Sequence, residues 1–213
     1  LLAACGGGDD APPAPPAAAY AVTAAQRHLL TEGGAWSMEG TLPTGEAFTI
    51  AMNFAPSTAG PFPRTGATAA RSVQTFTLQA AGQSDSVAET IYFDPASLSF
   101  FGSEFSGTCN LATSNAPLPD SAAIGEGGAF FSGSDLDGCT VASSTVGTTT
   151  IGWSLETDAG VVLLCWNYVF RDAAGTLDST QSSCVEIAVD GSLGARARIG
   201  VSALGITVSA RNF

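Results

Sequence analysis

The feature that most constrains the fold is an apolar run at residues 161–170, which reads VVLLCWNYVF and is interrupted only by Asn167. Successive side chains of a β-strand point to opposite faces, so a strand with this sequence carries large apolar groups on both faces. A strand of that kind is normally buried on both faces, which predicts that this segment lies at the centre of a domain. The run is too short to cross a bilayer as a helix, which takes about 20 residues.

Much of the chain alternates apolar and polar residues with the period of two that is typical of strands. Residues 36–42 and 48–54 alternate in this way around the turn Pro43-Thr44-Gly45, and together they predict a hairpin. The same criteria predict further strands at residues 73–78, 87–93, 98–101, 148–156, 182–189, 195–201 and 205–210. We therefore expect residues 34–213 to form an all-β domain, an antiparallel meander of about ten to twelve strands arranged as a β-sandwich or a barrel-like domain. A sub-boundary near residue 108, with two β halves, stays open.

One short helix is predicted before this domain, within residues 20–33. Thr23 is a candidate N-cap, good helix formers follow it, and Gly33 with Gly34 ends the pattern. So short a helix on a β domain is expected to act as a plug or to cover a sheet edge. The only histidine of the chain, His28, lies here and is expected to be a surface or capping residue.

The N-terminal residues Leu2-Ala3-Ala4-Cys5 resemble a lipobox, the end of a bacterial lipoprotein signal peptide. The resemblance implies cleavage before Cys5 and acylation of that residue, so residues 1–5 would be the remnant of the signal and the lipidation site. Residues 6–19, rich in Gly, Pro and Ala, suit an extended spacer between a lipid anchor and a domain. In that family Gly after the Cys favours export to the bacterial outer membrane. We therefore expect a lipid-anchored protein that faces the periplasm or the cell surface.

Four further cysteines, an even number in an exported chain, predict two disulfides with three possible pairings. When residues 161–170 are placed antiparallel to residues 182–189 with Cys165 opposite Cys184, the apolar residues of both strands fall on one face. This register predicts a Cys165–Cys184 bridge and leaves Cys109 to pair with Cys139. The spacings are too wide for the usual thiolate zinc sites, and we expect no metal site.

Residues between Cys109 and Cys139 show little periodicity, and a long irregular loop in a compact domain is often functional. Its apolar pair Phe130 and Phe131 and its acidic tip with Asp135 and Asp137 make it the candidate interaction loop. The acidic tip does not match a calcium-binding EF-hand loop, because Gly133 stands at the first ligand position and no suitable Glu follows.

The sequence carries no recognisable catalytic set, so we expect no catalytic residue and no cofactor. It has one His, no Lys for a phosphate-binding loop and no nucleophile elbow, and its net charge of −12 argues against nucleic acid as a partner. The sequence also argues against an outer-membrane barrel, because the residues before Phe213 lack the apolar alternation expected before a terminal aromatic residue. The leading hypothesis is a non-enzymatic envelope lipoprotein that binds a protein, a glycan or a small ligand. The alternatives are a self-assembling structural or adhesive surface subunit, forming a homo-oligomer or filament, and a hydrolase with a carboxylate pair.

Overall fold

A computed structural model describes residues 18–213, and in this part of the chain it contains one helix and fifteen strands. The elements are β1 (Ala19–Tyr20), α1 (Val22–Thr31), β2 (Gly34–Thr41), β3 (Ala47–Phe54), β4 (Thr58–Pro61), β5 (Thr68–Ala80), β6 (Gln83–Phe93), β7 (Phe100–Phe105), β8 (Thr108–Asn115), β9 (Ala122–Ala123), β10 (Gly127–Leu136), β11 (Thr145–Asp158), β12 (Val161–Asp172), β13 (Leu177–Ile187), β14 (Leu193–Ala203) and β15 (Ile206–Arg211). The predicted all-β class with one short N-terminal helix is confirmed.

Twelve of the strands form a closed antiparallel barrel. Neighbours follow the order β3-β2-β15-β14-β13-β12-β11-β10-β8-β7-β6-β5, and β3 pairs with β5 to complete the ring. The short β4 pairs with the first residues of β5, and β1 pairs with β9 outside the ring. Of the two predicted arrangements the structure has the barrel, in which every ring strand has a partner on both sides. Residue 108 begins β8, which pairs with β7 in the same ring.

The apolar run of residues 161–170 is the greater part of β12, and it is buried on both faces. Leu164 and Trp166 point into the barrel, where they lie opposite Leu155 and Trp153 of β11. On the outer face, Leu163 packs with the cysteines of β12 and β13 in a second small cluster, against which the ring of Phe213 also packs. The apolar residues on the two faces of β12 therefore belong to two separate clusters, the main core inside the barrel and a small cluster on its outer surface.

Both predicted disulfides are present. Cys165 pairs with Cys184 across β12 and β13 in the predicted register, with a Cα–Cα distance of 4.0 Å. Cys109 pairs with Cys139 at a Cα–Cα distance of 5.0 Å, which ties the loop after β10 to β8.

Helix α1 closes one end of the barrel. Its buried face, which includes Leu29 and Leu30, contributes to the main interior core. Thr23 is not the N-cap: the helix begins one residue earlier, at Val22, and the Thr23 hydroxyl donates instead to the carbonyls of Leu118 and Pro119 at this end of the barrel. The short helix therefore acts as a plug, which is one of the two roles predicted for it.

The prediction of an irregular loop between Cys109 and Cys139 is wrong, because this segment contributes strands β8 and β10 to the barrel wall. The sequence hides them because several of their inward positions carry small or polar residues: Asn110, Ala112, Gly133 and Asp135. A strand with such residues lacks the apolar alternation by which strands are recognised. Residues 55–70, which are rich in Gly, Pro and Ala and show no alternation, likewise contain β4 and the start of β5.

Candidate ligand-binding cavity

The barrel is hollow at the end opposite the helix, where it encloses a cavity of about 570 Å³. The wall around it is formed by the halves of β5 to β8 and β10 to β13 that lie away from α1. The loop held by the Cys109–Cys139 bridge lies at this end, next to the turn that joins β7 and β8. One end of the barrel is thus filled by the helix and the core, while the other gives access to an interior space.

Aromatic side chains form much of the cavity wall. Tyr168 and Phe170 lie parallel, with ring centroids 6.0 Å apart, on the inward face of β12. Phe131 of β10 lies in the same row of the wall as Tyr168, with Ile151 of β11 between them. The centroid of the Phe131 ring is 5.9 Å from that of Phe100. Phe76 of β5 also contributes to the wall. Such a wall can hold a flat or bulky apolar group.

A set of polar side chains interrupts this apolar wall. Asp135 accepts a hydrogen bond from Asn110 Nδ2 at 2.6 Å, and Thr149 Oγ1 lies 2.9 Å from each of its carboxylate oxygens. Glu89 of β6 accepts a hydrogen bond from Ser103. Both carboxylates line the same cavity.

Two buried acceptor atoms in this set have no hydrogen-bond partner. Gln74 is 1% exposed and lies opposite Glu89 on the neighbouring strand, and its Oε1 is unpaired. Asn110 Oδ1 is also unpaired, and the amide orientation is fixed because Nδ2 donates to Asp135. A Cβ on Gly133 would collide with Asn110 Oδ1, so glycine is what allows this amide to lie against the wall. Buried acceptors without donors carry a free-energy cost that a ligand with donors can remove.

Burial raises the pKa of the Glu89 carboxyl, an effect that the hydrogen bond from Ser103 opposes and the nearby Asp135 charge reinforces. Burial likewise raises the pKa of the Tyr168 phenol. The folded protein therefore holds the Glu89 proton more tightly than the unfolded chain does. Ionised Glu89 costs stability once the pH exceeds the ordinary value of 4.5, and it costs none well below that value.

We therefore expect Glu89→Gln to raise the free energy of unfolding at pH 7 by on the order of 1 kcal/mol. The gain should shrink as the pH falls and vanish below about pH 4, where Glu89 is protonated in both states. Urea denaturation at several pH values measures it. Glu104→Gln is the matched control, because Glu104 lies on the neighbouring strand without lining the cavity. A gain that is equal for both variants, or independent of pH, would contradict this account of Glu89.

The mouth of the cavity is also acidic. Asp172 and Asp178 lie at its rim, and Arg171, which donates to the Gly175 carbonyl, is the arginine among the lining residues. The other arginines all fall within the described residues and lie away from the cavity lining: Arg27, Arg64, Arg71, Arg196, Arg198 and Arg211. The sequence contains no lysine. The cavity is therefore anionic in character.

The four residues predicted to form an interaction loop lie in three different parts of the structure: the core, the cavity and a surface loop. Phe130 and Phe131 are 2% and 5% exposed, so the prediction that they form an exposed apolar patch is wrong. The register of β10 shifts between Ala129 and Phe131, so Phe130 lies in a bulge, and both rings belong to the main core. Asp135 points into the cavity. Asp137 lies in the loop outside it and accepts a hydrogen bond from the Ser144 amide. Cys5 lies outside the described residues.

Sequence reasoning missed Glu89, Gln74, Thr149 and Tyr168, which come together only when the barrel closes. The sequence carries one feature that could have indicated them, a polar residue at a position where the alternation of a strand predicts an inward apolar one. Glu89, two residues before Ile91, is an example. A single such residue is common in half-exposed strands, so the signal identifies no site without the three-dimensional pairing.

No protein-family model, no curated protein and no solved structure matches this chain. Over residues 18–213, no helix has the length and apolar character needed to span a membrane. In the same range, no three or more His, Cys, Asp or Glu side chains are grouped so that they could hold a metal ion.

Proposed function

We propose that this chain is a lipid-anchored cell-envelope protein that binds a small ligand inside its barrel. The observation that carries the proposal is the 570 Å³ cavity, lined by aromatic rings and by a few converging polar groups. Small-molecule sites have this volume, about 300–1,000 Å³, and this composition. Of the partners expected from the sequence, the small ligand is favoured, because an interior site fits a small molecule better than it fits a folded protein.

The lipobox resemblance supports the anchor. Acylation of Cys5 would attach the chain to the bacterial outer membrane, with residues 6–19 as the spacer. The described part of the chain starts at the closed end of the barrel, where the Ala21 amide donates to the Val189 carbonyl. An anchor on Cys5 would therefore join the barrel at the end opposite the cavity mouth.

The pair of carboxylates in the cavity gives a second candidate function, a hydrolase that uses Glu89 and Asp135. A raised pKa on one of two nearby carboxyls is what a general acid needs. Against this candidate, both oxygens of Asp135 lie within hydrogen-bonding distance of the Thr149 hydroxyl. We favour binding without turnover. The other alternative, self-assembly by strand addition, finds no support in the ring, where each strand is paired on both sides.

Titration with N-phenyl-1-naphthylamine, an uncharged probe that fluoresces in apolar surroundings, tests the binding proposal. We expect a saturable rise in fluorescence with one probe per chain, because the aromatic wall excludes water from the bound rings. Recovery of the intact probe after incubation is expected of a binding protein. A fluorescence signal that rises linearly without saturation would contradict an interior binding site.

A further inference from the structure

Building on the proposed binding function, we propose that the ligand of the cavity is an organic cation, a protonated amine carried on an apolar body. The cavity combines acidic side chains, unpaired buried acceptors and aromatic rings, and its interior carries no basic group among the described residues. The acidic side chains favour a positive charge, the unpaired acceptors favour N–H donors, and the aromatic rings favour an apolar body.

The charged groups of the cavity interior and the buried unpaired atoms of its wall are all acceptors. Glu89 and Asp135 are carboxylates, and Gln74 Oε1 and Asn110 Oδ1 are amide oxygens without donors. Gln74 is the strongest element of this set, since it is buried and lies directly opposite Glu89. An ammonium group brings only donors, so it can pair with these atoms, whereas an anionic or acceptor-rich ligand would leave them unpaired.

The charges around the cavity also favour a cationic ligand. Four carboxylates line the cavity and its mouth, two of them in the interior and two, Asp172 and Asp178, at the rim. Arg171, the one arginine of the lining, is exposed at the mouth and donates to the Gly175 carbonyl. A cavity whose interior charges are all negative concentrates cationic ligands and repels anionic ones.

The aromatic rings supply both the apolar contact and a further attraction for a cation. Tyr168 and Phe170 lie parallel on β12, and Phe131 and Phe100 stand on neighbouring parts of the wall. The faces of such rings attract an organic cation, and the attraction is stronger where water is excluded. A ligand with an aromatic or bulky aliphatic body and one amine fits both parts of the wall.

Three probes that share one naphthalene ring and differ in charge test the proposal: 2-(1-naphthyl)ethylammonium, 2-(1-naphthyl)ethanol and 3-(1-naphthyl)propionate. Isothermal titration calorimetry at pH 7 should show the ammonium binding at least about tenfold more tightly than the alcohol, and the propionate most weakly. Equal affinities, or tighter binding of the propionate, would overturn the cation proposal. Failure of all three probes to bind would instead overturn the proposed binding function.

Charge-neutral variants locate the effect. Glu89→Gln and Asp135→Asn should each reduce the affinity for the ammonium at least about fivefold while changing the affinity for the alcohol less than twofold. Glu104→Gln removes the same charge from a residue that does not line the cavity, and it should leave all three affinities unchanged. Binding of the alcohol also verifies that each variant is folded. A loss of ammonium affinity in Glu104→Gln as large as in Glu89→Gln would show that general charge, not the cavity, attracts the cation.

Discussion

Replacing Phe130 by alanine should lower the free energy of unfolding by about 3–5 kcal/mol. The ring is 2% exposed and belongs to the main interior core. It meets Phe100 edge to face, with centroids 4.9 Å apart, so the truncation removes both buried area and an aromatic contact. Urea denaturation, followed by the fluorescence of the core tryptophans, measures the loss.

Leu204→Ala is the control for this prediction, because Leu204 is 93% exposed in the turn between β14 and β15. That substitution should change the free energy of unfolding by less than about 0.5 kcal/mol. If Phe130→Ala were as mild as the control, the ring would belong to an exposed patch, as the sequence alone suggested. The assignment of β10 to the barrel wall would then be contradicted.

Removal of the Cys165–Cys184 bridge should cost about 3 kcal/mol, the value that the chain-entropy relation gives for a loop of this length. The two cysteines are separated by 19 residues, and both are fully buried on the outer face of β12 and β13. The double variant Cys165→Ala, Cys184→Ala leaves no free thiol at this site, and chemical denaturation under non-reducing conditions measures the difference from the disulfide-bonded protein.

The second bridge provides the comparison. Cys109 and Cys139 are separated by 30 residues and hold the loop near the cavity mouth, so their removal should cost a similar free energy. It should also weaken binding of the naphthyl probes, whereas removal of Cys165–Cys184 on the outer face should leave the probe affinity nearly unchanged in the folded protein. Equal effects of the two double variants on probe binding would contradict the placement of the cavity mouth.

The strands whose two faces differ clearly in hydrophobicity could be predicted from the sequence. The β12 and β13 pair is the best example: the register that brings Cys165 opposite Cys184 puts the apolar residues of both strands on one face, and a slip by one residue would turn one set outward. The turn after Leu42 was recognisable for a similar reason, because alternation stops at Pro43 and Gly45 and resumes in β3.

The cavity could not be predicted, because a hollow interior removes the signal that identifies a strand. The inward residues of β8 and β10 near the mouth, such as Asn110 and Asp135, face a space rather than a core. Ring closure between β3 and β5 was also invisible, since it depends on the summed twist and stagger of all twelve strands. Glu89 and Asp135 are 46 residues apart in sequence numbering, and no local pattern links them.

The most direct test of binding inside the barrel compares two tryptophan substitutions at adjacent residues of β13. Ser179 lines the cavity, and Ser179→Trp should fill part of it and weaken N-phenyl-1-naphthylamine binding at least about tenfold. Thr180 points to the opposite face of the same strand, and Thr180→Trp should leave the affinity unchanged. Equal affinity in the two variants, with both melting close to the wild type, would contradict the account and place the probe outside the barrel.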